Sequence, residues 1–186
     1  ESRPAPGLDR PVVLVGLMGA GKSKVGKRLA ERLGLPFVDV DQVIEADNGK
    51  TISELFAIAG EPAFREGERR TIARLLAVPI AIIASGGGAY IDPTTRAAIN
   101  ERGLSVWLRA DLDTLVARTS RSHKRPLLEG TDRRAKLAEL MELRYPVYAE
   151  ADITVDSMAG PVEDTVASVL AALDAHLLST HKPSGQ

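Results

Sequence analysis

The eight residues Gly16-Leu17-Met18-Gly19-Ala20-Gly21-Lys22-Ser23 match the spacing G-x-x-x-x-G-K-[ST]. They follow the apolar run Val12–Val15 and precede a segment with helical spacing that begins near Lys22. In this pattern the glycines let backbone N–H groups turn inward around a triphosphate, Lys22 supplies a positive charge, and the Ser23 hydroxyl reaches Mg²⁺. The N-terminus of the following helix adds a partial positive charge. A mere turn would not need a lysine and a serine directly after its last glycine, so the stretch is predicted to be a nucleotide-binding loop, called the P-loop below.

The composition is ordinary for a globular domain. Of the 186 residues, 44% are apolar and 26% are charged, which fits one domain with a sizeable core. The 24 basic and 25 acidic residues nearly cancel, so bulk charge favours neither a nucleic acid nor a membrane surface as the partner. The absence of cysteine excludes disulfides and thiolate metal sites and is compatible with a reducing compartment. We therefore expect a cytoplasmic monomer that acts on small molecules.

The two ends of the chain differ from its middle. Residues 1–10 are expected to form a flexible arm, since they lack the basic-then-apolar build of a secretory signal. Residues 11–178 are expected to form a single domain, and residues 179–186 a frayed polar tail. No apolar run approaches the roughly 18 residues that a membrane helix needs.

Strand-like and helix-like segments alternate after the P-loop. Gly34 stops the first helix, a capping box at Thr51–Glu54 opens a second, and Glu61-Pro62 starts a third. Further helices are predicted to begin at Asp92, Asp111, Asp132 and Pro161. The one that begins at Asp132 is expected to end before Pro146. The predicted strands are Val12–Val15, Phe37–Asp41, Ile80–Ala84, Leu104–Leu108 and Ile153–Val155. Because consecutive parallel strands need long connections, this alternation predicts an α/β fold with a parallel sheet covered on both faces.

Two carboxylates end the second predicted strand, where open α/β sheets bind their ligands. Two positions apart on a strand, Asp39 and Asp41 would point the same way. One could then reach the hydration shell of a metal while the other addresses an acceptor hydroxyl. Other P-loop enzymes hold Mg²⁺ with an acid at the end of another buried strand, but here that strand ends in Ser85. Asp39 is therefore the predicted carboxylate for the cation, and a solvated strand end is the alternative for both residues.

Two segments interrupt the regular alternation. The pair of helices after the second strand predicts either an acceptor-binding flap or a plain helical crossover. The segment 119–131 lacks a period and carries the basic run His123-Lys124-Arg125. Such a run is either a cationic lid that closes over the γ-phosphate or a solvated basic loop.

Six motifs occur together in a characteristic order. They are Gly16–Ser23, Asp39-Val40-Asp41, Phe64-Arg65, Gly86-Gly87-Gly88, Arg125-Pro126-Leu127-Leu128 and Arg144-Tyr145-Pro146-Val147-Tyr148. This set resembles the shikimate kinase family, and the resemblance covers roughly residues 11 to 175. The resemblance implies a nucleoside-monophosphate-kinase-like fold with sheet order 2-3-1-4-5. It also implies transfer of the ATP γ-phosphoryl group to the 3-hydroxyl of shikimate, a step of aromatic biosynthesis.

The resemblance assigns an acceptor-binding region at about residues 41–77, to which Gly86–Gly88 and Arg144 are added. Asp41 matches the acid that hydrogen-bonds the acceptor hydroxyls and is a candidate base. Arg65 and Arg144 match the arginines that grip the shikimate carboxylate, which a planar guanidinium can hold with two parallel hydrogen bonds. The range Gly86–Gly88 (Gly86, Gly87 and Gly88) matches the acceptor loop, whose missing side chains let the ring approach the backbone. Phe56 and Phe64 are walls of the acceptor pocket or core residues, with both readings open.

The nucleotide and metal residues come from the same resemblance. The ATP-binding positions are Gly19, Ala20, Gly21, Lys22, Ser23, Lys24, Arg118, Arg125 and Pro161. Lys22, Asp41 and Arg125 are the catalytic candidates, and Arg125 matches the lid arginine that swings over the phosphates. Arg118 and Pro161 match positions that flank adenine. The cofactor is Mg²⁺, held by Ser23 and by Asp39, the latter directly or through water.

Two other classes of function compete with this reading. The first alternative, which differs least from this interpretation, is another small-molecule kinase of the same fold, such as a gluconate kinase or a nucleoside monophosphate kinase. An acceptor phosphate would be repelled by Asp41, so that residue favours a hydroxyl acceptor. The second alternative is a nucleotide-dependent switch without transfer activity. The sequence contains no Asn-Lys-x-Asp motif, which would recognise guanine.

Overall fold

The computed structural model describes residues 7–120 and 132–180. Residues 1–6, 121–131 and 181–186 lie outside the described residues. The predicted lid arginine Arg125 and nearly all of the predicted lid belong to that part of the chain.

A parallel sheet of five strands forms the centre of the fold. The strands are β1 (Val12–Val15), β2 (Phe37–Asp39), β3 (Ile82–Ala84), β4 (Leu104–Arg109) and β5 (Ile153–Asp156). Their order is β2-β3-β1-β4-β5, and each neighbouring pair is parallel. All residues of β1 and β3 are buried. Successive side chains of a strand point to opposite faces, so both faces of the sheet are covered. The predicted fold class and strand order are confirmed.

Helices connect the strands. They are α1 (Lys22–Leu33), α2 (Val40–Asn48), α3 (Ile52–Leu76), α4 (Pro93–Arg102), α5 (Leu112–Thr119), α6 (Arg133–Tyr148) and α7 (Val162–Thr180), with a 3-10 turn at Ala89–Ile91. Across residues 7–120 and 132–180, no helix combines the length and apolar character that crossing a bilayer requires.

Most helix ends lie where their capping residues predict. Gly34 adopts the left-handed conformation after α1. Thr51 and Glu54 form the reciprocal capping box of α3, with distances of 3.2 Å and 2.9 Å. The Asp92 carboxylate accepts from two backbone N–H groups at the start of α4. These side chains satisfy the backbone donors that each first turn leaves without a helical partner.

Gly60 divides α3 into the two helices that the sequence predicts. Its φ of 79° and ψ of 169° are not helical, and only glycine adopts such a conformation without strain. Pro62 follows within the first turn of the second part, where a missing N–H costs nothing. The second part carries Phe64 and Arg65 towards the end of the sheet where the P-loop lies.

The prediction that a strand runs to Asp41 is wrong. The strand β2 ends at Asp39, and α2 begins at Val40. The Asp39 side chain accepts a hydrogen bond from the Gln42 N–H at 3.3 Å, as an N-cap does. Asp41 therefore lies in the first turn of a helix, so the two carboxylates do not share one face of a strand.

The prediction that the last long helix before β5 ends ahead of Pro146 is also wrong. The helix α6 continues through Pro146 to Tyr148. Proline removes one backbone hydrogen bond, to the carbonyl of residue 142, and Glu142 is solvent-exposed. Tyr148 is completely buried, so its packing offsets this local cost.

Candidate active site

Three glycines with positive φ shape the P-loop between β1 and α1. Gly16, Gly19 and Gly21 have φ values of 145°, 86° and 92°. A β-carbon on Gly16 would lie 2.8 Å from the Leu108 carbonyl oxygen, and one on Gly19 would lie 2.9 Å from the Thr119 methyl carbon. Glycine is thus required both by the backbone conformation and by the close packing of the loop.

Lys22 folds back over the P-loop. Its Nζ donates hydrogen bonds to the carbonyl oxygens of Gly16 at 2.7 Å and Leu17 at 2.9 Å. No side chain among the described residues caps the helix at Gly21, so the first N–H groups of α1 can serve phosphate oxygens. The loop therefore combines backbone donors with an ammonium group at the same place.

The P-loop and the start of α2 are joined by a side-chain hydrogen bond. Ser23 Oγ donates to Asp39 Oδ2 at 2.7 Å. A hydroxyl and a carboxylate are the oxygen donors that Mg²⁺ prefers, with phosphates and waters completing its shell. No group of three acidic or histidine side chains suited to a metal occurs within residues 7–120 and 132–180. The Ser23 hydroxyl and the Asp39 carboxylate fit a cation whose remaining ligands are nucleotide phosphates and waters.

Asp41 faces the acceptor loop from the first turn of α2. Its Oδ1 is 3.2 Å from the place that a β-carbon on Gly86 would take. Burial, and then the negative charge of Asp39, raise the pKa of Asp41, while the positive charges of Lys22 and Arg65 oppose that shift. A carboxylate in this setting can accept the proton of an alcohol.

Arg65 is held by two carboxylates of its own helix. Its Nη1 donates to Glu68 Oε1 at 2.8 Å, and its Nη2 donates to Glu61 Oε1 at 3.4 Å. Glu68 is only 1% exposed, and burial raises the pKa of its carboxyl while the charge of Arg65 lowers it. Among the described residues, Glu68 Oε2 has no hydrogen-bond partner. The pair thus fixes the guanidinium and leaves a buried oxygen beside the acceptor loop.

The acceptor loop is the point at which side chains from three helices meet. A β-carbon on Gly86 would be 2.9 Å from Glu68 Oε2, and one on Gly88 would overlap the Arg65 guanidinium. One on Gly87 would be 3.6 Å from Arg144 Nη1. That buried nitrogen has no hydrogen-bond partner among the described residues. Such a donor needs a partner, which an acidic ligand in the adjoining space would supply.

A cavity of about 430 Å³ adjoins this loop. Asp41, Arg65 and Arg144 all line it, as do Phe56 and Phe64. The two phenylalanine rings pack with centroids 4.6 Å apart, and the Arg65 guanidinium carbon lies 5.9 Å and 5.3 Å from their centres. Phe64 is also part of the hydrophobic core, so wall and core roles coincide there.

Arg118 links the P-loop to the segment after β5. Its Nη1 donates to the Gly19 carbonyl at 3.2 Å and to Ser157 Oγ at 3.0 Å, and its Nη2 donates to the Met158 carbonyl at 2.7 Å. Ser157 Oγ donates in turn to the Ala20 carbonyl at 2.6 Å. The predicted adenine side of the site is therefore tied to the phosphate side.

The remaining predicted nucleotide positions are less informative. Ala20 is buried, whereas Lys24 and Pro161 are exposed, with Pro161 directly before α7. Arg125 lies outside the described residues. The roles assigned to all of these positions stay predictions.

Sequence reasoning assigned no individual role to three residues of this region, although Tyr148 ends the last of the six motifs. Glu68 follows Arg65 by three positions in a helix, a spacing at which side chains meet, so it could have been found. Ser157 bonds a residue 137 positions away, and Tyr148 donates to the Gly87 carbonyl 61 positions away. Local patterns in a sequence carry no information on such distant pairs.

Comparison with known proteins gives consistent matches. The family model described as shikimate kinase matches residues 18–174. A shikimate kinase of Paramagnetospirillum magneticum is 56% identical over 170 residues, covering 91% of this chain and 87% of that protein. One from Caulobacter vibrioides is 54% identical over 169 residues, covering 91% and 84%.

Solved structures agree with these matches. The structure of a shikimate kinase from Acinetobacter baumannii in complex with shikimate has a TM-score of 0.88 and 34% identity, covering 95% of this chain and 97% of that one. A gluconokinase from Sinorhizobium meliloti has a TM-score of 0.62 at 22% identity, covering 97% and 100%. The latter likeness concerns the fold alone.

Proposed function

The chain belongs to the shikimate kinase family, so it is an enzyme that transfers a phosphoryl group from ATP to shikimate, and we propose which residues carry out the transfer. The γ-phosphoryl group goes to the 3-hydroxyl and gives shikimate 3-phosphate and ADP, in the biosynthesis of chorismate and aromatic amino acids. The observation that carries the assignment of residues is the meeting of Asp41, Arg65 and Arg144 at the acceptor loop.

Arg65 and Arg144 hold the carboxylate of shikimate. Arg65 is fixed by Glu68, and the unpaired Nη1 of Arg144 supports a donor role for that residue. Two planar guanidinium groups can each form paired hydrogen bonds with one carboxylate. The ring then lies over Gly86–Gly88, where side chains are absent.

Asp41 is the base of the transfer. The acceptor hydroxyl oxygen attacks the γ-phosphorus, the bond from that phosphorus to the bridging oxygen breaks, and its electron pair leaves with ADP. The proton of the hydroxyl goes to Asp41. Its raised pKa supports this role, because a more basic carboxylate takes the proton more readily.

The P-loop residues Gly19–Ser23, with Lys24, bind the phosphates of ATP. Lys22 stabilises the charge that develops on the transferred group. Arg118 and Pro161 flank the adenine, and Arg125 is proposed as the lid arginine by its position in the sequence alone.

Ser23 and Asp39 are the proposed residues for Mg²⁺, which enters with ATP. The 2.7 Å contact between them supports a shared ligand position. When bound, the ion neutralises charge on the β- and γ-phosphate oxygens. Asp39 takes part directly or through a water molecule.

The competing acceptors fit these residues less well. A nucleoside monophosphate would bring a phosphate against Asp41, and like charges repel. Gluconate has the carboxylate but is an open chain, whereas the paired rings of Phe56 and Phe64 offer a flat apolar surface that suits a ring. Shikimate combines a carboxylate, ring hydroxyls and a compact ring.

The proposed working unit is a single domain over residues 11–178 that acts as a cytoplasmic monomer. The lack of cysteine is compatible with the cytoplasm.

Product analysis tests the proposed reaction. Purified protein, MgATP and shikimate should give one phosphorylated product, whose ³¹P–¹H coupling in NMR places the phosphate on the carbon that bears the 3-hydroxyl. Phosphate on a different hydroxyl would contradict the proposed orientation of the ring. Absence of a phosphorylated product would contradict the proposed function as a whole.

A further inference from the structure

The carbonyl groups of the acceptor loop are all engaged by the protein. The Gly86 carbonyl accepts from the Ala89 N–H and the Gly88 carbonyl from the Ile91 N–H, each at 3.2 Å. The middle carbonyl, that of Gly87, accepts from the Tyr148 hydroxyl. Tyr148 is thus the side chain that completes the set.

The N–H groups of the same loop have no acceptor in the described part of the protein. Within residues 7–120 and 132–180, no protein acceptor receives a hydrogen bond from the N–H of Gly86, Gly87 or Gly88. A trans peptide directs its C=O and N–H to opposite sides, and no peptide of the described chain is cis. Holding the Gly87 carbonyl on Tyr148 therefore directs the Gly88 N–H away from that hydroxyl.

Tyr148 is rigidly held. It is completely buried, and its ring lies 5.9 Å from that of Trp107 and 6.5 Å from that of Tyr90, measured between centroids. Burial raises the pKa of Tyr148 to about 12, and the charge of Arg144 together with a hydrogen bond to the Arg144 side chain acts against this shift. The hydroxyl thus stays protonated as a donor, beside a guanidinium that faces the same loop.

We propose that Tyr148 is a positioning residue for the acceptor: its hydroxyl fixes the Gly87–Gly88 peptide so that the loop presents the Gly88 N–H to the acceptor. A peptide between two glycines rotates easily because neither residue carries a side chain. Without the hydroxyl, the Gly87 carbonyl would lose its buried partner and could turn towards the cavity. An oxygen there would repel the anionic acceptor.

Tyr145 provides a matched control on the same helix. Its hydroxyl also donates to a backbone carbonyl, that of Ala110, and its ring contacts Trp107 at 4.9 Å. Neither Tyr145 nor Ala110 lines the cavity. Tyr148→Phe and Tyr145→Phe therefore each remove one hydroxyl from the same aromatic cluster, but only the first touches the acceptor loop.

The inference rests on the proposed acceptor site, so the binding of shikimate to the unaltered protein is measured first by calorimetry. Tyr148→Phe should raise the Kd and KM for shikimate about 10-fold, since a buried carbonyl loses its donor. The KM for ATP and the kcat at saturating shikimate should stay within about twofold, because Tyr148 touches no reacting atom. Tyr145→Phe should leave the Kd for shikimate unchanged.

Two results would overturn the inference. One is an unchanged Kd for shikimate in Tyr148→Phe, and the other is an equal rise in Tyr145→Phe, which would indicate general loosening of the cluster. Failure of the unaltered protein to bind shikimate would instead contradict the proposed function itself.

A measurement on the unaltered protein covers the case in which Tyr148→Phe does not fold. The chain has three tyrosines, so ¹³Cζ-tyrosine labelling gives three NMR signals, and Tyr90→Phe and Tyr145→Phe assign that of Tyr148 by elimination. Shikimate should shift the Tyr148 signal more than the Tyr145 signal. The reverse order would contradict the proposed contact with the loop.

Discussion

Ser23 Oγ lies 2.7 Å from Asp39 Oδ2 and donates a hydrogen bond to it. The other oxygen of the Asp39 carboxylate caps α2, and Asp41 follows two residues later in the first turn of that helix. The segment from Asp39 to Asp41 thus connects the phosphate-binding loop with the acceptor loop. A cation held by Ser23 and Asp39 would be fixed relative to the acceptor base by a single turn of helix.

Removing the charge of Asp39 tests its proposed part in metal binding. Asp39→Asn keeps an oxygen that can cap α2 but loses the negative charge, so the Mg²⁺ concentration for half-maximal rate should rise about 10-fold. Titration of the rate with Mg²⁺ at fixed ATP measures this. Asp39→Ala should show the same rise and, in addition, a lower Tm because the cap is lost. A normal Mg²⁺ dependence in both variants would exclude Asp39 from metal binding.

Lys22 should be essential for turnover. Lys22→Ala removes the ammonium group above the P-loop and should lower kcat/KM for ATP by at least about 100-fold, since a charge that stabilises the transferred group is lost. Lys27→Ala, at an exposed position of the same helix, is the control and should behave as the unaltered protein. Retained transfer in Lys22→Ala would mean that ATP binds elsewhere.

Asp41→Asn should separate catalysis from binding. The amide keeps the shape and one acceptor oxygen but cannot take the proton, so kcat should fall by about 10²- to 10⁴-fold. The Kd for ATP, measured by calorimetry, should change little. A loss of shikimate binding with kcat preserved would instead assign Asp41 a purely positioning role.

The pH dependence follows from the raised pKa of Asp41. The base must be unprotonated, so kcat/KM for shikimate, which reports the free enzyme, should fall as the pH drops through this pKa, at a higher pH than an ordinary aspartate would give. The folded protein also binds this proton more tightly than the unfolded chain, so the group costs stability as the pH rises. Asp41→Asn should therefore raise the Tm at neutral pH, with a smaller gain at acid pH. An equal change of Tm at both pH values would contradict the assigned direction.

Arg65 should act on acceptor affinity. Arg65→Ala removes one of the two proposed carboxylate contacts and should raise the KM for shikimate about 100-fold, as loss of a bidentate charged pair does. Arg70→Ala is the control, because Arg70 lies on the same helix with a side chain that is 72% exposed. An unchanged KM in Arg65→Ala would rule out the proposed grip on the carboxylate.

The succession of strands and helices was predictable because local residue signals mark the segments, whereas the strand order followed only from the resemblance to the family. Glycines and aspartates mark the helix ends, and continuous apolar runs mark the buried strands. The start of α2 was not predicted, because Val40 alternates with carboxylates as in a strand while Asp39 caps a helix. The end of α6 was also predicted wrongly. The sequence shows the proline, which costs a backbone hydrogen bond at Pro146, but it does not show the burial of Tyr148, which outweighs that cost.

For the candidate site, the residues that face the acceptor were predictable, but the residues that support them were not. The motifs named Asp41, Arg65, Arg144 and the range Gly86–Gly88, and these residues do come together in space. Their supporting partners depend on contacts between distant segments, as with Tyr148, or on which helical neighbour becomes buried, as with Glu68. The helical spacing of Arg65 and Glu68 allows their contact to be predicted, but neither the burial of Glu68 nor the distant contact of Tyr148 can be derived from a single sequence by period or capping rules.

The choice of acceptor tests the central claim most directly. In a coupled assay of ADP release with MgATP, kcat/KM should be measured for shikimate, gluconate, AMP and CMP. The meeting of Asp41 with two arginines at a glycine loop predicts a preference for shikimate of at least about 10³-fold over each of the others. An equal or higher kcat/KM for gluconate, AMP or CMP would contradict it.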